Sequence, residues 1–77
     1  MLMEITKIIG MNIRAFREWR GMSQTELGKK CKLHRVYIGS IERGERNISV
    51  ENLTKLAGAL NIETHILLMT DAHKWIK

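Results

Sequence analysis

Apolar residues recur along this chain at the three-and-four spacing of a helix, in blocks separated by small or polar residues. Ile5, Ile8, Ile9, Ile13 and Phe16 form the first stripe, and Arg20-Gly21 supplies its terminator. From Gln24 the positions Leu27 and Cys31 keep helical spacing, Leu33 breaks the phase, and a second set begins with Ile38 and Ile41, with Tyr37 in part. Two short helices joined by a tight connection fit this pattern. After Ser49, the residues Leu53, Leu56, Ala57 and Leu60 make another stripe that Asn61 ends, and residues 63–69 predict a short fifth helix. There Ile66, Leu67, Leu68 and Met69 stand in a row and cannot all face one small core. Some are expected to meet a partner, unless Trp75 and Ile76 fold back to extend the core.

Ser23 lies three residues before Glu26, the spacing of a capping box in which serine and glutamate each satisfy an unpaired N–H at a helix start. The next helix is expected to begin near His34, a poor cap by residue type, and to end by Gly44, which suits the left-handed residue that closes a helix. With Ile38 and Ile41 turned inward, the outer face presents Arg35, Val36, Gly39, Ser40 and Arg43, with no carboxylate on it. An α-helix fits the major groove of B-DNA, where arginine bonds guanine O6 and N7, serine donates or accepts, and an apolar group touches the thymine methyl. Arg35, in the first turn, carries most weight as a base reader, with Val36 and Ser40 beside it. Tyr37 either packs its ring on the core or reaches a phosphate or base step. His34 either contacts DNA or is a solvated ring. Gly39 costs a helix about 1 kcal/mol relative to alanine, which close approach to DNA would offset.

At 77 residues the chain is read as one domain, residues 1–77, with limited burial and room for a stabilising partner surface. Its charge is uneven. Of 13 Lys+Arg, ten fall in residues 1–50 with five of the 8 Asp+Glu, so the whole net charge of +5 sits with the paired helices. A single cysteine excludes an internal disulfide, and no leader pattern opens the chain, so the cytoplasm is expected. The longest apolar run is far short of the roughly 20 residues that span a bilayer. No Ser/His/Asp or Cys/His constellation, phosphate-binding glycine loop or carboxylate pair suggests an enzyme. Cys31, His34, His65 and His73 lack metal-ligand spacing, and no cofactor is implied.

Ser23-Gln24, Glu26-Leu27 and the run Tyr37-Ile38 through Ile41-Glu42-Arg43-Gly44 resemble the lambda-repressor/Cro-like (XRE-type) helix-turn-helix family, over roughly residues 9–69. Residues 33–49 are most similar to the controller proteins of bacterial restriction–modification systems, small dimeric regulators of their own operon. The resemblance implies an all-α, five-helix bundle with the helix-turn-helix at about residues 23–43. It places the helix after Ser23 across the phosphates and the helix after His34 in the groove.

The same resemblance implies a partly buried ion pair between Arg17 and Glu42. It further implies phosphate contacts from Gln24, Arg43, Arg46 and Asn47, with His34 as a further candidate. Residues 61–77 would form the dimerisation region, with His65, Ile66 and Met69 near a two-fold axis and a roughly palindromic double-stranded operator. RNA polymerase is a partner if the chain activates. Phage-type repressor, antitoxin-type regulator and protein-interaction module remain alternatives. Against the family pattern, Lys32 replaces a turn glycine and must accept a left-handed conformation or reshape the turn. Gly28 replaces an alanine where helices approach closely, and Ile48 replaces a proline. Arg14 and Arg20 read as a solvated face, and Trp19 as a cover on the core edge.

Overall fold

The computed structural model describes residues 4–76. Four α-helices follow in order: α1 (Ile5–Trp19), α2 (Gln24–Cys31), α3 (Arg35–Glu42) and α4 (Val50–Leu60). Two 3-10 segments, Thr64–Leu68 and Ala72–Trp75, complete the chain, and no strand occurs among the described residues. Among the described residues no helix is long and apolar enough to cross a membrane.

The helix starts follow local chemistry. At α2 the Ser23 hydroxyl accepts from the Glu26 N–H at 3.0 Å, and the Glu26 carboxylate accepts from the Ser23 N–H at 3.0 Å. These bonds hold the Glu26 carboxyl below its ordinary pKa. Ser49 caps α4 by accepting from the Asn52 N–H at 3.0 Å. Gly21 and Gly44, both at positive φ, close α1 and α3, and the left-handed Asn61 closes α4.

Phe16, Ile13, Leu27, Ile38, Ile41, Leu56, Leu60 and Leu67 are fully buried, so each helix sends at least one large side chain into a single core. Burying one such residue contributes about 1.5–3 kcal/mol. Ile5, expected in the first stripe, is instead 50% exposed, because it lies at the extreme start of α1. Arg20 is exposed as expected, but it is not without partners. Its Nε donates to the Leu60 carbonyl at 2.9 Å and its Nη2 to the Asn61 carbonyl at 3.3 Å, where the last carbonyls of α4 lack helical partners. The guanidinium also lies 4.3 Å from the Trp19 ring centroid. Trp19 in turn meets Phe16 edge-on with centroids 6.0 Å apart, covering the core edge as expected.

The fifth helix departs from expectation: the segment is a 3-10 helix closed by bonds such as Met69 N–H to the Ile66 carbonyl at 3.2 Å. Asn12, from α1, donates to the carbonyls of both Leu67 and Met69 at 2.9 Å. A side chain thus satisfies carbonyls that the N–H groups of another α-helical turn would otherwise satisfy. With three residues per turn, His65 and Leu68 share one outward edge while Ile66 and Leu67 are buried. The chain then returns over the bundle, burying Ala72 and packing Ile76 on the core, whereas Trp75 stays 48% exposed.

Two glycines determine how closely α3 can sit. A Cβ on Gly10 of α1 would stand 2.2 Å from the Ile41 carbonyl oxygen, and one on Gly28 of α2 would stand 2.4 Å from the Leu33 carbonyl oxygen. Both obstacles are backbone and cannot rotate away. The Gly10→Ala change is therefore expected to cost at least about 1–3 kcal/mol, the usual penalty of overpacking. Thermal denaturation checks this, and an unaltered melting temperature would show that α1 and α3 separate freely.

Candidate nucleic-acid interface

The start of α3 is held by His34, whose Nδ1 accepts from the Val36 N–H at 3.0 Å. A histidine therefore does cap this helix. The turn before it contains Lys32 at φ 60°, ψ 39°, a left-handed conformation that costs an ordinary L-residue roughly 1–2 kcal/mol. Lys32 thus accepts the glycine-like geometry and keeps the tight turn. Leu33 is half-buried against the core, anchoring the connection from inside.

The far end of α3 is held by charge. Arg17 of α1 meets Glu42 in a two-pronged contact, Nε to Oε2 at 2.6 Å and Nη2 to Oε1 at 3.0 Å. Its Nη1 also donates to the Met22 carbonyl at 2.8 Å. Side-chain exposures of 12% for Arg17 and 4% for Glu42 make this a largely desolvated pair. The bond from Glu42 raises the Arg17 pKa above its ordinary value, against the opposing effect of burial. Gln24 of α2 joins the pair, its Nε2 donating to Glu42 Oε1 at 3.1 Å. One carboxylate thus gathers α1, α2 and α3. It is also the only acidic residue in α3, so its burial leaves that helix without an exposed negative charge.

The exposed part of α3 is narrower than the outer face expected from the sequence. Arg35 and Val36 are exposed, Val36 by 60%. Ser40 is 7% exposed, and its hydroxyl donates to the Tyr37 carbonyl at 2.7 Å, so it is withdrawn from the base-reading set. Gly39 is buried too. A Cβ there would lie 3.3 Å from both the Arg43 guanidinium and the Gln24 amide oxygen, so this glycine makes room for side chains rather than for DNA. Both corrections have one cause: α3 packs on α1 and on α2, which widens its buried arc.

Of its two expected roles Tyr37 takes the structural one. The ring is half-buried against the core, while the hydroxyl accepts from Asn52 Nδ2 at 3.1 Å. The Arg46 guanidinium lies 5.6 Å from the ring centroid. On either side of Gly44, Arg43, Arg46 and Asn47 are all exposed, with Arg43 paired to Glu45 at 3.1 Å on the surface. Such an exposed pair is weak, so Arg43 stays available to an anion. Asn52 was not foreseen from the sequence. Its place in the first turn of α4 is readable, but its partner fifteen residues back is not.

Of the residues expected at a two-fold axis, His65 is exposed, and Met69 is half-buried against the core. Ile66 is 5% exposed and belongs to the core, so its expected place at an interface is corrected. The exposed apolar neighbour of His65 is Leu68, 41% exposed, which the sequence reading did not single out. Among the described residues no three His, Cys, Asp or Glu side chains gather as metal ligands. Burial pushes the Cys31 thiol up in pKa, and it donates to the Leu27 carbonyl at 3.1 Å.

Two short helices at a tight left-handed turn, the second presenting an arginine in its first turn, match a known sequence profile described as helix-turn-helix over residues 13–67. The chain belongs to the helix-turn-helix family. This helix-turn-helix protein is 44% identical over 66 residues to control protein C.SmaI of Serratia marcescens, spanning 86% of the chain and 79% of that relative. It superposes with a TM-score of 0.78 on the restriction–modification controller protein C.AhdI from Aeromonas hydrophila, at 42% identity over 80% of this chain and 94% of that one. It also matches SinR, a master regulator for biofilm formation solved in complex with DNA, with a TM-score of 0.76 and 35% identity over 79% of this chain and 98% of that one. The expected all-helical class and family stand, with the last helix in 3-10 form.

Replacing Glu42 by glutamine would strand the buried Arg17 charge. Breaking a buried pair in this way costs about 3–5 kcal/mol. A Glu42→Gln protein that melts with the wild type would remove the pair from its structural role.

Proposed function

We propose that this chain is a sequence-specific DNA-binding transcription regulator, acting as a homodimer in the bacterial cytoplasm. We assign it as a restriction–modification controller protein at the promoter of its own operon. The observation that carries the DNA reading is the exposed start of α3, where Arg35 and Val36 project and the one acid of the helix is buried against Arg17. Arg35 suits guanine O6 and N7, and Val36 suits a thymine methyl. Arg43, Arg46 and Asn47 flank α3 as phosphate ligands from one side. Gln24 at the start of α2 serves from the other, reinforced by that helix's free N–H groups. Such contacts set register while α3 reads sequence.

The dimer reading is supported by the exposed edge formed by His65 and Leu68, with Met69 beside it. Two copies joined there would present recognition helices about 34–36 Å apart, one DNA turn, and select a roughly palindromic operator. The controller assignment is supported by the likeness to C.SmaI and C.AhdI. If binding activates the promoter, RNA polymerase becomes a further partner.

Binding is tested with DNA from upstream of the chain's own gene against scrambled DNA, at two salt concentrations. The wild type is expected to prefer its own DNA, and Arg35→Ala to lose about 1–3 kcal/mol of that preference while keeping salt-dependent affinity. Equal binding of both DNAs by the wild type would overturn the assignment. Sedimentation at micromolar concentration should show a dimer, and a monomer alone would remove the two-fold arrangement.

A further inference from the structure

From the start of α3 back across the α2–α3 turn, the surface forms a basic ridge. One shallow cleft is walled by Lys29, Lys32, His34 and Arg35 among others, and a second by Lys30, Lys32 and Lys55 beside Cys31. Lys32 lines both, so a strip of cationic residues runs from the start of α3 across the turn to α4. No carboxylate lines either cleft. Lys55 meets Glu51 at 3.6 Å, but both side chains are well exposed and neutralise each other weakly.

Lys29 and Lys30 have a structural reason to be where they are, since cations complement the C-terminal end of α2. That reason does not extend to Lys55, which lies mid-way along α4, and it does not explain a lysine at position 32. The other left-handed positions among the described residues are Gly21, Gly44 and Asn61, residue types that tolerate the conformation. Lys32 alone holds it with a long, charged side chain, and glycine would give the same turn without strain. A strained residue at the junction of two cationic clefts points to use of its charge.

We propose that this ridge is a second phosphate-binding surface, which follows the DNA backbone past the half-site faced by α3. It rests on the DNA-binding reading above, and the continuity of Lys32 with His34 and Arg35 favours duplex DNA over an acidic protein as its occupant. The ridge adds affinity and salt dependence without adding sequence preference, because phosphates carry no base identity.

The test is a salt titration of binding to two duplexes. One ends at the outer edges of the half-sites, and the other carries about ten further base pairs of unrelated sequence on each side, one helical turn. The wild type is expected to show the steeper salt dependence on the longer duplex. Lys32→Gly should reduce that slope by about 1, and the combined Lys30→Ala, Lys32→Gly, Lys55→Ala protein by about 3, with the shorter duplex bound as by the wild type. Lys32→Gly should melt no lower than the wild type, which separates lost contact from lost folding. Wild-type slopes in both variants on the longer duplex would overturn the ridge, as would equal losses on both duplexes. Failure of the DNA-binding reading is distinguishable, because the wild type would then show no preference for its own upstream DNA at either length.

Discussion

The placement of α3 depends on the buried contact between Arg17 and Glu42. Removing two charges from water is costly, and the contact persists because its geometry is two-pronged and because Met22 and Gln24 supply further hydrogen bonds. Those partners come from α1, from the loop after it, from the start of α2 and from the end of α3. A displacement of any one would leave charge or polar atoms unmatched in a nearly dry site, so the three helices move together or not at all. An apolar contact of equal size would tolerate sliding, whereas this arrangement fixes both the rotation and the height of α3.

The two glycines act with the ion pair. Gly28 lets the turn before α3 lie on α2, and Gly10 lets the carbonyls at the end of α3 lie on α1. The helix is therefore seated at both ends by the absence of side chains and locked at one end by charge. With α3 so placed, its exposed surface shrinks to its first turn and the loop beyond it, where the positive charge is concentrated.

Much of this was legible in the sequence, and the reasons are local. Ser23 with Glu26, Ser49, Gly21, Gly44 and Asn61 mark helix ends through bonds that span only a few residues. Leu27, Cys31, Ile38 and Ile41 reveal two helices through a break in phase. The Arg17–Glu42 pair came from the family resemblance rather than from spacing. What escaped depends on more than one neighbour. Periodicity assigns an inner and an outer face, but α3 touches helices on two sides, so Gly39 and Ser40 were placed outside when they lie inside. Asn12, Arg20 and Asn52 reach partners far along the chain, and nothing in their immediate sequence selects those partners. The last segment was expected as an α-helix because four apolar residues in a row state burial without stating pitch. Asn12 on α1 supplies the bonds that make a tighter turn sufficient.

The cap on α3 has a chemical consequence for recognition. Because Nδ1 of His34 receives the Val36 N–H, the ring hydrogen of a neutral imidazole resides on Nε2. That nitrogen can donate and cannot accept. The ring is thereby matched to a purine N7, a guanine O6, a thymine O4 or a phosphate oxygen, and mismatched to the amino groups of adenine and cytosine. The backbone bond that starts the helix thus also sets the polarity of a side chain at its edge, and exchanging His34 for either role alone would disturb the other.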